Sequence, residues 1–404
     1  MEPVGEWTPV LAVPPAADTA ILVEADHADL SADDLARVWA AVDASTSANT
    51  KAAYRSDWAR FQRWTVEAGY ASLPASDMVV AAYLTDAAAA LRPDGRAQFS
   101  PATLSRWVSS INQIHTAAGL SAPGRSEVVR RALSGVRRLR RTPPKRRSPL
   151  LLADVRTILT ALAPSFWVWP AAMAAHRDAA LLLMGFAGAH RRSELVALRV
   201  QDVTVHPADG LHIRMVSSKT DQEARGVVRA LPFGRGPATC PPCALIRWRR
   251  LLLAFDDGGR RAALNQVHRR GLTAEHCCRS VDDSAVNAEP VADGGQAGER
   301  GSVGERWLFP GIHKTGTPGA GAMSGDAVAA MIQRRAATAG YTPAQVDLLG
   351  GHSLRSGFVT EAFRAGADAH SIMRQTGHRD PKMLEVYARE HAPLVGNAVT
   401  RIDL

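Results

Sequence analysis

Cysteine is scarce in this chain: Cys240, Cys243, Cys277 and Cys278 are all that 404 residues contain. Four cysteines confined to one stretch are not the framework of a disulfide-stabilised secreted domain, and a reducing compartment fits them better. No window approaches the roughly 18 consecutive apolar residues that a membrane-spanning helix needs. The opening residues, MEPVGEWTPV, have no basic region ahead of an apolar run, which a secretory signal requires. A soluble, cytoplasmic protein is the expectation. Acidic residues are in deficit, 39 against 48 Lys and Arg, for a formal charge of +9. A basic excess selects polyanionic partners, nucleic acid first and an anionic membrane surface second. Tyrosine is rare as well, with five in the chain, so a chemistry that needs a phenol has few candidates.

A chain of this length predicts two domains. Residues 1–44 are rich in Ala, Pro and Asp and show little periodicity before Ala32, so they read as a loose extension. From Ser45 onward Tyr54, Trp58, Phe61 and Thr65 fall at helical spacing, and Gly69 supplies a stop. A second helix follows Asp77. A third opens on Ser100 and Pro101 in cap and first-turn positions and carries Leu104, Trp107, Val108, Ile111 and Ile114 toward a stop at Gly119. A fourth begins near Ser126, with Val129, Leu133 and Val136 as its apolar stripe. Residues 45–141 thus read as a small all-helical domain.

The fourth helix is also basic. Arg130, Arg131, Arg137, Arg138 and Arg141 line it, and the segment TPPKRRS (142–148) adds Lys145, Arg146 and Arg147 around a proline pair, the pattern of an extended interdomain linker. Between Arg125 and Arg147 the single acid is Glu127. A solvated helix face would ordinarily mix its signs. A nearly single-sign stripe favours contact with nucleic-acid phosphates through Arg130, Arg137, Arg138, Arg141, Lys145, Arg146 and Arg147.

Residues 149–404 read as a second, mostly helical domain. Helices are expected at about 152–162 and 176–188, around SELVAL, and at 244–255, 324–339, 352–366, 368–376 and 380–391. LHIRMV (211–216) and GVVRALPF (226–233), rich in β-branched residues and separated by the polar turn SSKTDQ, predict a β-hairpin. Residues 256–305, dominated by Gly, Asp, Ser, Arg and Ala without sustained period, read as a mobile insertion.

Breaking a phosphodiester takes a nucleophile, a proton donor for the leaving oxygen and positive charge around the non-bridging oxygens. The second domain supplies each. Arg191 stands in RRSEL, Lys219 in the hairpin turn, His352 and Arg355 in HSLR, His378 in TGH, and Tyr387 nine positions later in LEVYAR. In type, order and local context these six residues resemble the catalytic set of the tyrosine recombinase, or phage integrase, family, and the likeness covers about residues 148–395. The family's glutamate three positions after the first arginine is structural, so Glu194 is not counted among the six. His190, where an aliphatic residue is usual, and the long insertion are the departures from the pattern.

The resemblance implies a mainly α fold with a small β-hairpin or sheet (α+β): a helical SAM-like core-binding domain and a catalytic domain closing as a C-shaped clamp on the duplex. It implies a Xer/integrase-like site-specific recombinase, nucleoid-associated, that works as a homotetramer on paired sites in double-stranded DNA, with accessory directionality proteins as further partners. Tyr387 would attack the scissile phosphate to form a 3′-phosphotyrosine while Lys219 protonates the 5′-oxygen. A tyrosine of ordinary pKa near 10 is about 0.1% ionised at neutral pH, so it needs a base, here His352, or a positive field. Arg191 and Arg355 would bracket the non-bridging oxygens and His378 would donate to the same phosphate. One ester replaces another, so no metal, nucleotide or other cofactor is expected. The C-terminal stretch APLVGNAVTRIDL, with Leu394, Val395, Val399, Ile402 and Leu404, would dock on a neighbouring subunit, the alternative being that it folds back on its own domain.

Two other readings remain open. A type IB topoisomerase shares the tyrosine, arginine and lysine logic but acts as a monomer without pairing sites and relaxes any supercoiled plasmid, whereas a recombinase requires a defined site. A regulator that has kept the fold and lost cleavage would bind without forming an adduct. The cysteines raise a zinc site, since Cys240 and Cys243 form a CxxC with His276, Cys277 and Cys278 downstream. Adjacent Cys277 and Cys278 do not readily both take tetrahedral positions with the first pair, and they fall in the apparent insertion, so reduced cysteines without a metal are the expectation.

Overall fold

The computed structural model describes residues 31–140, 147–215, 227–269, 275–279 and 305–391. The chain forms two compact units, Met1–Lys145 and Arg146–Leu404.

The first unit is helical: α1 (Ala32–Ala44), α2 (Ala48–Ala68), α3 (Asp77–Ala89), α4 (Pro101–Ala117) and α5 (Glu127–Arg140). Each of the first four opens on a serine, Ser31, Ser47, Ser76 or Ser100, whose hydroxyl accepts a backbone N–H of the first turn. Each such cap stabilises its helix by about 1 kcal/mol. Gly69 ends α2 at φ 74°, a conformation that costs glycine little. Trp58 and Phe61 of α2, Tyr83 and Leu84 of α3, Leu104, Trp107 and Ile111 of α4, and Val129 and Val136 of α5 make one core. The inward side of α5 is thus fixed, which leaves Arg130, Arg131, Arg137 and Arg138 exposed. α1 departs from the loose extension expected over 1–44: residues 32–44 are helical, yet none of them is buried, and Val38, Trp39 and Val42 are about half exposed.

The second unit is mainly α with two small antiparallel sheets, the fold class expected. It comprises α6 (Leu152–Leu162), α7 (Ala171–Ala187), α8 (Arg192–Val196), α9 (Pro241–Arg269), α10 (Gly325–Thr338), α11 (Pro343–Asp347), α12 (Ser353–Arg364), α13 (Ala369–Thr376) and α14 (Lys382–His391). α7 runs through the core, with Ala180, Leu181, Leu182 and Met184 wholly buried. Strands β1 (Val203–His206), β2 (Gly210–Met215) and β3 (Val227–Leu231) form one sheet in that order. The expected hairpin is β2 and β3, registered Leu211 to Leu231 and Met215 to Val227, and β1 extends it. Strands β4 (Pro310–Ile312) and β5 (Pro318–Ala322) pair separately.

Part of the mobile insertion expected at 256–305 is helix instead. α9 continues to Arg269 across non-helical Gly258 and Gly259, because Ala263 and Val267 beyond the glycines are buried in the main core. Residues 275–279 are described as well, and Cys278 is buried. Further on, Leu308 N–H donates to Leu198 O and Val200 N–H to Arg306 O.

Two features place the helices that carry the motif residues. Ser148 N–H donates to Leu348 O at 2.8 Å and Leu150 N–H to Ser353 O at 2.9 Å, so the chain leaving the linker lies along the start of α12. Gly357 permits that approach, since a Cβ there would sit 1.7 Å from Leu150 O. A small apolar cluster of Val359, Phe363, Ile372 and Leu384, with Tyr387 against it, packs α12, α13 and α14 together.

Candidate active site

α12 begins immediately after His352, so His352 and Arg355 lie three residues apart at its N-terminal end. α14 brings Tyr387 to them: its phenolic oxygen is 2.6 Å from His352 Nε2. Arg355, only 1% exposed, is held at two points. Its guanidinium donates to Ala189 O at 2.7 Å and to His378 Nε2 at 2.9 Å. Ala189, between α7 and α8, takes φ 47°, a left-handed conformation that a non-glycine residue adopts at some cost. The carbonyl so presented is the one that anchors the arginine.

The hydrogen bonds fix a tautomer. An arginine can only donate, so His378 Nε2 must accept, its proton lies on Nδ1, and Nδ1–H donates to Thr376 Oγ1 at 2.8 Å, which in turn donates to Ile372 O. Burial first, then the charges of Arg355 and Arg191, push the His378 pKa down to about 4. The same causes in the same order lower His352 below its ordinary 6.5, although His352 keeps an exposed face. Both rings are neutral at pH 7. In this arrangement His378 has no N–H on the side facing Arg355, so it steadies Arg355 rather than standing ready to donate to a phosphate. Arg355 itself, lowered to about 10 chiefly by burial and then by Arg191, stays charged.

Arg191 caps α8, and Glu194 one turn on returns to its backbone N–H at 3.0 Å and to its guanidinium at 2.5 Å. Glu194 is therefore structural. It is shared with a residue that motif reasoning passed over: Arg229 of β3, whose side chain is 4% exposed and donates to Glu194 Oε2 at 3.0 Å and to His190 Nδ1 at 2.9 Å. Burial tends to raise the Glu194 carboxyl, but Arg229 and the bonds from Arg191 outweigh it and hold its pKa below the ordinary value. Burial, and then Arg229, push His190 down to about 3, so it is a neutral acceptor. The sequence carried one signal for Arg229. It and Leu231 occupy alternate, inward positions of the strand, where an arginine is out of place unless it has a buried partner.

The remaining candidates are dispersed. Lys219 lies outside the described residues, as do Arg141, Lys145 and Arg146. Arg130, Arg137 and Arg138 are on α5 in the other unit; Arg130 pairs with Glu127 and Arg137 donates to Ser105 Oγ. Arg147, expected to meet phosphate, instead donates to the carbonyls of Asp347 and Leu349 at 2.5 and 3.1 Å. Metal-ligand side chains gather twice among the described residues: Cys240, Cys243, His276 and Cys278, and the more exposed His206, Asp209 and His212.

No family model matches the chain. A curated relative, an integrase/recombinase described as a XerD homologue from Selenomonas ruminantium, is 30% identical over 368 residues, 89% of this chain and 87% of its own. Among solved structures, the XerH site-specific recombinase bound to a palindromic difH substrate, a post-cleavage complex, is similar at a TM-score of 0.51 and 14% identity over 92% of this chain and 84% of that one. The Tn1549 transposon integrase in complex with transposon right-end DNA gives 0.47 and 15% over 85% and 89%. Identity at the level of the Selenomonas relative, sustained along nearly the whole of both chains, identifies the protein as a member of the tyrosine recombinase family of integrases and recombinases.

Proposed function

We propose that this recombinase cleaves and rejoins double-stranded DNA at specific sites through a 3′-phosphotyrosine formed on Tyr387, without metal or nucleotide at the reacting phosphate. The observation that carries the assignment is the hydrogen bond between Tyr387 and His352 Nε2 beside Arg355. A neutral imidazole accepts the phenolic proton as the oxygen attacks phosphorus. The P–O5′ bond breaks as the Tyr–O–P bond forms, and the 5′-oxygen takes a proton, a role we assign to Lys219. Arg191 and Arg355 carry permanent positive charge for the non-bridging oxygens. One ester is exchanged for another, so rejoining by the reverse attack needs no outside energy source. Exchange between two duplexes needs more than one active site, and we assign it to a tetramer on paired sites; the C-terminal tail proposed to link subunits lies outside the described residues.

A radiolabelled duplex carrying the target site and a nick beside the scissile phosphate tests the chemistry, because loss of the short 5′-hydroxyl fragment traps the adduct. The native protein should leave an SDS-resistant complex in the presence of EDTA. Tyr387→Phe should bind the same duplex with near-native affinity and leave none. An adduct formed by Tyr387→Phe removes Tyr387 as the nucleophile; cleavage that stops with EDTA and returns with added divalent ion removes the metal-free reaction.

A further inference from the structure

Cys240 and Cys243 lie at the start of α9, while His276 and Cys278 come from the short segment 275–279. Their four donor atoms lie within 4.8 Å of one another. Cys240 Sγ and Cys278 Sγ are 3.8 Å apart and Cys243 Sγ and Cys278 Sγ 3.3 Å. His276 Nδ1 is 3.5 Å from Cys243 Sγ and 3.7 Å from Cys278 Sγ. A tetrahedral zinc with Zn–S near 2.3 Å and Zn–N near 2.0–2.1 Å sets its ligands about 3.8 Å apart for two sulfurs and about 3.6 Å for sulfur and nitrogen. We propose that Cys240, Cys243, His276 and Cys278 bind a structural zinc ion that fastens the segment after α9 to the start of that helix.

Three further observations favour a metal over a chance meeting of thiols. The adjacent pair takes different places: Cys278 is buried with its Sγ 3.8 and 3.3 Å from those of Cys240 and Cys243, whereas Cys277 is partly exposed and its Sγ also reaches the Cys243 carbonyl at 3.7 Å, so the four ligands proposed leave Cys277 out. Gly234 N–H donates to Cys240 Sγ at 3.3 Å, the outer bond that steadies a coordinated thiolate. A Cβ on residue 234 would lie 2.6 Å from Cys240 Cα, so glycine is what allows that amide so close. Finally, residues 275–279, EHCCR, form neither helix nor strand, and they meet the main core through Cys278, which is buried, and Cys277, which is partly buried. A metal that draws on two ligands from each segment would fasten them there. Three thiolates and one imidazole are a soft, tetrahedral set that suits zinc. None of the four belongs to the group around Tyr387, so the ion's work is to fix the chain.

Elemental analysis of the full chain, expressed with zinc and purified under reducing conditions without chelator, should find about one zinc per chain. Replacement by cobalt(II) should give the visible d–d absorption of a tetrahedral thiolate site. Cys243→Ser and Cys278→Ser should bring bound zinc close to zero, and Cys277→Ser should keep it near one. A native chain with no bound metal overturns the proposal, as does a Cys243–Cys278 disulfide found by mass spectrometry in its place. Zinc lost in Cys277→Ser but kept in Cys278→Ser overturns the ligand set. Should the serine variants not fold, metal content and the cobalt spectrum of the native chain decide. These measurements use no DNA, so their outcome is independent of the proposed strand transfer.

Discussion

Replacing Arg229 with methionine keeps an unbranched apolar stem and removes the charge beneath the proposed active site. Glu194 then sits buried with one guanidinium, that of Arg191, where it had two. Breaking a buried pair by deleting one partner costs about 3–5 kcal/mol, and the surviving bond to Arg191 sets the lower end, about 3. For a domain of this size each kcal/mol moves the melting temperature by about 2–4 °C, so Arg229→Met should melt roughly 6–12 °C lower at pH 7. The pH dependence separates this cause from a loss of packing. In the native protein the Glu194 pKa is depressed, so its contribution is present above the ordinary value and fades as pH falls through the folded value. In the variant the largest opposing charge is gone and burial prevails, so the ionised carboxylate is destabilising and protonation relieves it. The gap between the two proteins should therefore narrow as pH is lowered from 8 toward about 5. Calorimetry of the catalytic-unit transition measures it. A drop smaller than about 2 °C at pH 7, or a gap that does not change with pH, would refute the role of Glu194 as a carboxylate held by Arg229.

With His352 as the base, as proposed, the acidic limb of kcat/KM for cleavage should have its midpoint below 6.5, because burial lowers that imidazole; a pH profile on the nicked substrate measures it, and a midpoint above 6.5 contradicts a neutral base. Converting Arg130, Arg137 and Arg138 to glutamine should lower the slope of log affinity against log salt by about 0.9 for each phosphate no longer neutralised, and an unchanged slope in a titration from low to high salt returns them to a solvated face. Arg147→Gln should leave that slope alone and lower thermal stability instead, because its guanidinium is already bonded to Asp347 O and Leu349 O.

What the sequence made legible was whatever depends on near neighbours. Ser100 before Pro101 announced the start of α4, Gly69 the end of α2, and the polar turn between two β-branched runs the β2–β3 pair. The motif residues around Tyr387 were legible because spacing on α12 and α14 encodes which face they share. Long-range pairings were not. β1, β4 and β5 are three to five residues long, too short for a period to declare itself. The glycine pair at 258 and 259 reads as a breaker, and only the burial of Ala263 and Val267 explains why helix resumes. Arg147 reads as part of a charge run because its acceptors are backbone carbonyls two hundred residues away. Cys277 and Cys278 cannot be told apart in a string; a turn of backbone separates their destinies.

The bonds from Ser148 and Leu150 to Leu348 and Ser353 have a mechanical meaning. They bind residues 148–150 to the start of α12, and Arg147 adds bonds to the carbonyls of Asp347 and Leu349. With Gly357 admitting Leu150 to near contact, there is no slack between them. These bonds fall on the backbone on either side of His352, at Leu348 and Ser353. His352, whose Nε2 lies 2.6 Å from the Tyr387 hydroxyl, stands within that bonded stretch, so the backbone of residues 148–150 is part of what sets the position of its ring.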